Sequence, residues 1–402
     1  MAITDNTRIL QGARASRNVN QATQMPDIMR KLMLLQPYQT PFTQFLFFGS
    51  MTSAPVMNAQ GKFDWFEDQF LPHQISATAG VTPSSGQLTL TSSNVNLINV
   101  FKDGDKIYLE ENDEEAVVLS ITGGNVVLAG VADGVNQTRP NLTALTNGSQ
   151  IKIIGNIQEE GGRRPDPRTT TKIERSNYLN LLKESIELTD RQIAGRDWID
   201  GVDHAGELRK KISEVKLQLE RQNMLSLKSG LTSGTNGRVT SYGRGAIGSF
   251  TTNVTTYSGS IAETDLDAHV QKMILGSNHK YHYAGSNQYF QIQQFLKAKQ
   301  EIDEQVFVNE YGVQVTRYIL GPVYFDLIWN PVLDGKFSNW GITIDPEYVK
   351  LRYMADDDKG SRKFRVRSNV QDNDEETKAT VILTDTAPQF MNEETGGLLY
   401  QA

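Results

Sequence analysis

Residues 86–155 constrain this chain more than any other stretch. Apolar runs at Leu88–Thr91, Lys106–Glu110, Ala116–Ile121, Asn125–Ala129 and Gln150–Ile154 are separated by Asp103-Gly104, Gly123-Gly124, Asp133-Gly134 and Asn147-Gly148. Short apolar runs with such dipeptides between them read as strands joined by tight turns, because Gly, Asn and Asp accept the backbone conformations those turns need. The pattern predicts a small all-β module, a barrel or twisted sheet, inserted into a larger domain.

An arm follows, EEGGRRPDPRTTTKIERSNY. Its prolines, threonines and arginines bury too little apolar area to offset an ordering cost of about 1–2 kcal/mol per residue. A partner surface could supply the missing contacts. The segment HAGELRKKISEVKLQLERQNMLSLKSG comes next. Leu208, Ile212, Val215, Leu219 and Gln222 recur at spacings of four and three, which predicts a helix over Ala205–Lys228. Lys210, Lys211, Glu214, Glu220 and Arg221 fall on the other side and read as a solvated face of mixed sign. An exposed arm beside a long helix suits a protein that holds neighbours better than one that encloses a small substrate.

The rest of the chain is mixed. Residues 1–25 read as a polar leader without the apolar core of a secretion signal. Pro26 opens a short helix, Asp27–Leu35, and Pro37 stops it. PYQTPFTQFLFFGS concentrates apolar side chains in a buried strand or short helix. KFDWFEDQFL alternates aromatic and acidic residues, so Phe63, Trp65 and Phe70 are expected inside and Asp64 and Glu67 outside. Residues 71–86 read as a loop or extended ribbon. Gly230–Gly248 reads as a mobile glycine-rich surface loop. Beyond it, helices are predicted at Asp265–Leu275 and Asn287–Lys299. Strands are predicted at Tyr281–Ala284, Val313–Leu320, Val323–Trp329, Tyr348–Tyr353, Lys363–Val370 and Ala379–Thr384, an α+β pattern.

No catalytic constellation emerges. The chain has 402 residues, no cysteine and a net charge of −7, so disulfides and thiolate chemistry are impossible. The dispersed charge argues against a protein whose main work is gripping phosphates. No apolar run is long enough to span a membrane as a helix. His279 and His282 lack the i, i+4 spacing and intervening Glu of a zincin. Asp356-Asp357-Asp358 lacks the alternating ligands of a calcium loop. The glycines at 234, 237 and 243–248 follow a helix and miss the phosphate-loop spacing. No nucleophile elbow is present. No catalytic, cofactor-binding or metal-binding residue is assigned.

Several segments, in order, resemble tailed-bacteriophage major capsid proteins, whose fold is also used by bacterial encapsulin shells. They are PYQTPFTQFL, KFDWFEDQFL, FKDGDKIYL…GSQIKIIGNIQEEG, the helix at 205–228, GPVYFDLIWNPVL, GITIDPEYVKLRYM and KATVILTDTAPQFMNEETGGL. The resemblance implies an α+β phage major-capsid fold divided as follows: an N-terminal arm and apolar strip (1–55), the entry to an extended loop (56–85), the β insertion (86–155), a return arm (156–200), a peripheral domain with spine helix and glycine-rich loop (201–248), an axial domain (249–350) and closing strands (351–402). It implies a structural protein, not an enzyme, whose copies form hexamers and pentamers of an icosahedral or prolate shell. The shell would enclose double-stranded DNA without sequence-specific binding and would assemble in the host cytoplasm into a virion, with scaffolding, portal and decoration proteins as further partners and no membrane. The arm would lie across a neighbouring subunit, making Glu159, Glu160, Arg163, Arg164, Arg168 and Arg175 candidate intersubunit contacts. The competing readings are a tail, fibre or carbohydrate-binding protein, suggested by the strand-rich block, and a hydrolase with an unusual site.

Overall fold

A computed structural model describes residues 40–49, 51–132, 138–158, 160–161, 167–195, 203–234, 237–298, 305–308, 314–356 and 361–402. The predicted helix at Asp27–Leu35 and the Asp133-Gly134 turn lie outside these residues. The chain divides into two compact units, residues 66–175 and the remainder.

Residues 66–175 carry a six-stranded sheet, in the spatial order Gln74–Ser76, Gln150–Asn156, Asp105–Leu109, Glu114–Thr122, Asn125–Gly130, Leu88–Leu90. Each pairing is antiparallel. Five of these strands match the predicted runs to within a few residues. The sixth, Gln74–Ser76, falls where a loop or ribbon was expected; it presents one apolar side chain, Ile75, and the alternation signal needs more than one. Leu88, Leu90, Ile107, Leu109, Val126 and Leu128 are completely buried in the module's own core. Gly123 and Gly124 both have positive φ and link Thr122 to its partner Asn125, the two-residue turn that the dipeptide implied.

The other unit holds two sheets. The first has five strands: Thr52–Val56, Val349–Met354, Thr377–Phe390 and Asn180–Thr189 in order, with Arg365–Ser368 also paired to Thr377–Phe390. The helix His204–Leu225 packs on this sheet. Its stripe behaves as predicted, with Val215 and Leu219 buried against Ile382 and with Leu208 and Ile212 beside them. Asp203 caps the helix by accepting the Gly206 N–H at 2.9 Å. The helix stops at Leu225, three residues short of the predicted end. There Ser226 Oγ donates to the Gly243 carbonyl at 2.7 Å, and the Gly245 N–H donates to the Ser226 carbonyl at 2.9 Å.

This junction corrects the reading of the glycine-rich segment as a mobile loop. Gly230–Ser233 and Val239–Tyr242 do pair as antiparallel, largely exposed strands. Residues 243–248 instead pack under the helix end, with Ala246 and Ile247 buried. A Cβ at Gly245 would lie 2.6 Å from the Asn223 carbonyl oxygen, and one at Gly248 would lie 2.4 Å from that of Leu227. The glycines are there for close backbone approach.

The second sheet has seven strands in the order Val254–Tyr257, Gly397–Gln401, Trp340–Ile344, His279–Ala284, Val323–Trp329, Gln314–Leu320, Gln305–Val308. The helices Glu263–Lys272 and Ser286–Ala298 flank it. The two histidines of the His279-Lys-Tyr-His282 segment separate. His279 is half-buried and bonds to Asp326 at 2.5 Å, while His282 is fully buried. The Thr343 hydroxyl lies 2.8 Å from His282 Nδ1 and 2.9 Å from His269 Nε2, so it can accept from one neutral ring and donate to the other.

Burial pushes the His282 pKa down to about 4 and drives that of His269 well below the ordinary value. The unfolded chain takes up protons near pH 6.5, whereas folded His282 resists them until about pH 4. Its contribution is therefore complete above pH 6.5 and is lost as the pH falls through that window. The expected loss from His282 is about 2 kcal/mol by pH 5, with His269 adding in the same direction. Urea unfolding at pH 7 and pH 5 measures it, and His282→Gln should show a smaller difference between the two.

Candidate functional site

The sequence-predicted contact residues lie around the arm. The segment that leads into residues 66–175 and the one that leads out run as paired strands, Lys62–Glu67 and Ile173–Tyr178. Phe63 is buried with Val56, Leu179 and Ala387, as its alternation predicted, and Trp65 packs against them. Phe70 does not follow: it is 100% exposed, lying beyond the strand's end at Glu67 and at the parity of the outward-facing Asp64 and Phe66 rather than of Phe63.

Arg168 is tied within its own chain. Its Nη1 donates to Asp105 Oδ2 at 2.8 Å and to the Val100 carbonyl at 2.5 Å. The Asp105 carboxylate is completely buried and also accepts from the Lys102 N–H at 2.8 Å and Asn156 Nδ2 at 2.7 Å. Arg168 thus fastens the far end of the arm to the β module. Arg175 pairs more loosely with Glu67 at 3.5 Å. Glu160 is an exposed turn residue. Glu159, Arg163 and Arg164 lie outside the described residues.

The two arginine contacts should differ in energy. Arg168→Ala strands a buried carboxylate and should lower stability by about 2–3 kcal/mol. Arg175→Ala breaks a longer pair whose arginine is half-exposed and should cost about 1 kcal/mol. Unfolding midpoints of the two variants compare them directly.

The sequence reading missed the apolar part of this surface. Phe66 is 68% exposed, Ile157 59% and Ile173 56%, in addition to Phe70. A Phe directly after Trp65, on the opposite face of the same strand, was the available signal.

A second feature joins the N-terminal apolar strip to the long helix. PFTQFLFF forms the helix Pro41–Phe48, with Phe42, Phe45 and Leu46 buried. Its first N–H groups meet a side chain from elsewhere: Glu220 accepts from the Phe42 N–H at 3.1 Å and the Thr43 N–H at 2.7 Å. Thr43 Oγ1 at 2.6 Å and Asn330 Nδ2 at 2.7 Å complete the set. Glu220 was expected on the solvated helix face, yet it is completely buried, because the short helix covers that flank. Burial pushes its carboxyl pKa up, while the donors from Thr43, Phe42 and Asn330 pull it back toward the ionised form.

The remaining constellations are structural. Asp356 pairs with Arg365 at 2.6 Å, and residues 357–358 are outside the described set. Asp326, held by Arg317 at 2.7 and 2.9 Å and by His279, keeps its pKa below the ordinary carboxylate value despite burial. Among the described residues no group of three or more His, Asp or Glu side chains could hold a metal ion. No helix of the described residues is long and apolar enough to cross a membrane.

A family model described as SU10 major capsid protein matches residues 10–401. No curated protein matches the chain. Among solved structures, one of Microbacterium phage Oxtober96 is 11% identical, with 94% of this chain and 96% of that one covered at a TM-score of 0.42. An encapsulin complex from Synechococcus elongatus PCC 7942 is 11% identical over 57% of this chain and 77% of that one, with a TM-score of 0.42. The capsid of cyanophage P-SCSP1u is 8% identical over 62% and 81%, with a TM-score of 0.41.

Proposed function

The chain belongs to the SU10 major capsid protein family, and from that premise we propose that its copies associate as hexamers and pentamers around double-stranded DNA. It is a structural shell protein of the virion capsid, with a non-enzymatic role. The family match across residues 10–401 carries this reading. The tail, fibre and hydrolase readings are set aside with it.

Within this proposal the described parts take roles. The helix His204–Leu225 and its five-stranded sheet form the peripheral domain. The seven-stranded sheet with its two helices forms the axial domain near the capsomer centre. Residues 86–155, within the compact unit 66–175, are the insertion carried by the extended loop. The shell is icosahedral or prolate and assembles in the host cytoplasm with scaffolding, portal and decoration proteins.

The arm lies across a neighbour in this account. Phe66, Phe70, Ile157 and Ile173 supply apolar contact there, at about 25 cal/mol per Å² buried. Glu159, Glu160, Arg163 and Arg164 supply charge at the rim. Arg168 and Arg175 act from behind, by fixing the arm to its own chain.

Controlled dissociation of shells followed by native mass spectrometry tests the capsomer claim. Species of six and five chain masses are expected; a ladder of dimers or trimers alone contradicts it.

A further inference from the structure

The most exposed positions of the long helix carry one sign of charge, in two rows on different flanks. From Arg209 to Leu225 every exposed residue is a cation: Arg209, Lys210, Lys216 and Arg221. Arg209 and Lys216 are seven residues apart and Lys210 and Arg221 eleven, so each pair lines up along the helix. The four span about 18 Å of its axis. Of the acids that the sequence sets among them, Glu220 is buried under the helix Pro41–Phe48, and Glu214, its side chain 41% exposed, is paired with Lys211 at 3.1 Å. Among the described residues no ion pair engages any of the four cations.

The same unit carries the complementary surface. Residues 372–376, Asp-Asn-Asp-Glu-Glu, lead into the strand Thr377–Phe390 and are all exposed. Asp372, Asp374, Glu375 and Glu376 likewise have no ion pair among the described residues. The Glu375 N–H donates to the Asp372 carbonyl at 3.3 Å, so a turn gathers the four carboxylates into one compact group, to which the Arg209–Lys216 row, about 10 Å long, presents two cations.

We infer that the Arg209–Lys216 row of the helix His204–Leu225 docks the acidic segment 372–376 of a second copy of this chain. Two different patches of one molecule then meet head to tail, the kind of contact that leaves each copy with one free donor surface and one free acceptor surface. Like charges oppose the reverse pairings, so the contact sets register as well as attraction. Nucleic acid fits the surface less well, because the chain is acidic overall and a four-acid segment lies in the same unit.

The inference rests on shell formation by this family, and charge exchange separates the two. Shell yield is measured by sedimentation and electron microscopy under conditions in which the unsubstituted chain closes into particles. Arg209→Glu with Lys216→Glu should lower the yield at least about tenfold, and so should Asp374→Lys with Glu375→Lys, the more so at low salt. Helical circular dichroism should be unchanged, since all four positions are exposed. Combining the two sets in one chain should restore particles, which neither a folding defect nor a nucleic-acid role would do. Undiminished yield from either set alone, no recovery in the combination, or normal shells that merely lose DNA overturns the inference and leaves the shell reading standing. An unsubstituted chain that forms no particles overturns both.

Discussion

Glu220→Ala should cost the fold about 3–5 kcal/mol, one of the two largest single-residue effects we expect in this chain. The side chain collects two backbone N–H groups, one hydroxyl and one amide at a completely buried position. Alanine removes the acceptor and leaves these donors facing a small cavity. The first turn of the helix Pro41–Phe48 would lose its cap as well, since Thr40 makes no side-chain capping bond of its own. Glu220→Gln should cost less. One oxygen can still serve Phe42 N and Asn330 Nδ2, while the amide group confronts the Thr43 N–H. Urea unfolding at neutral pH ranks the two variants; a loss below about 1 kcal/mol for the alanine would show that the four bonds do not anchor the strip.

Lys280→Met should be comparably severe. Lys280 is 1% exposed on a central strand of the seven-stranded sheet and holds Asp345 at 2.7 Å. Its ammonium also donates to the Leu275 carbonyl at 3.0 Å and the Thr395 carbonyl at 2.9 Å. Burial lowers the lysine pKa, while the hydrogen bond and charge of the Asp345 carboxylate act to raise it. Methionine keeps the length and removes the charge, leaving a buried carboxylate with the Ser277 and Glu347 N–H groups and the Ser277 hydroxyl. A loss of about 3–5 kcal/mol is expected. A double-mutant cycle with Asp345→Asn should return a combined loss well below the sum of the single losses. Strict additivity would mean the two side chains do not act as a pair.

These two residues also show where reading the sequence stops. Lys280 and Glu220 sit in otherwise ordinary patterns, and charge alone sends each to the surface. Their burial depends on partners 65 and 178 residues away. The apolar stripe of His204–Leu225 was legible because it is local and periodic. The covering of its flank was not, because another helix does the covering. The β module was legible for the same local reasons: alternation and turn dipeptides. The strand Thr377–Phe390 was seen only in its first half, Ala379–Thr384, since Asp385, Thr386 and Gln389 beyond it are buried polar residues that break the pattern. Among the contact residues, sequence supplied the charges of the arm but not their engagement. The Asp105 partner of Arg168 lies 63 residues earlier, whereas the exposure of Phe66 was open to the alternation that placed Trp65 inside.

Electron microscopy of the expressed chain shows whether it builds shells. A protein of this family should give closed shells of uniform wall thickness. Dispersed monomers at high concentration, in the presence as well as the absence of a scaffolding partner, would contradict it.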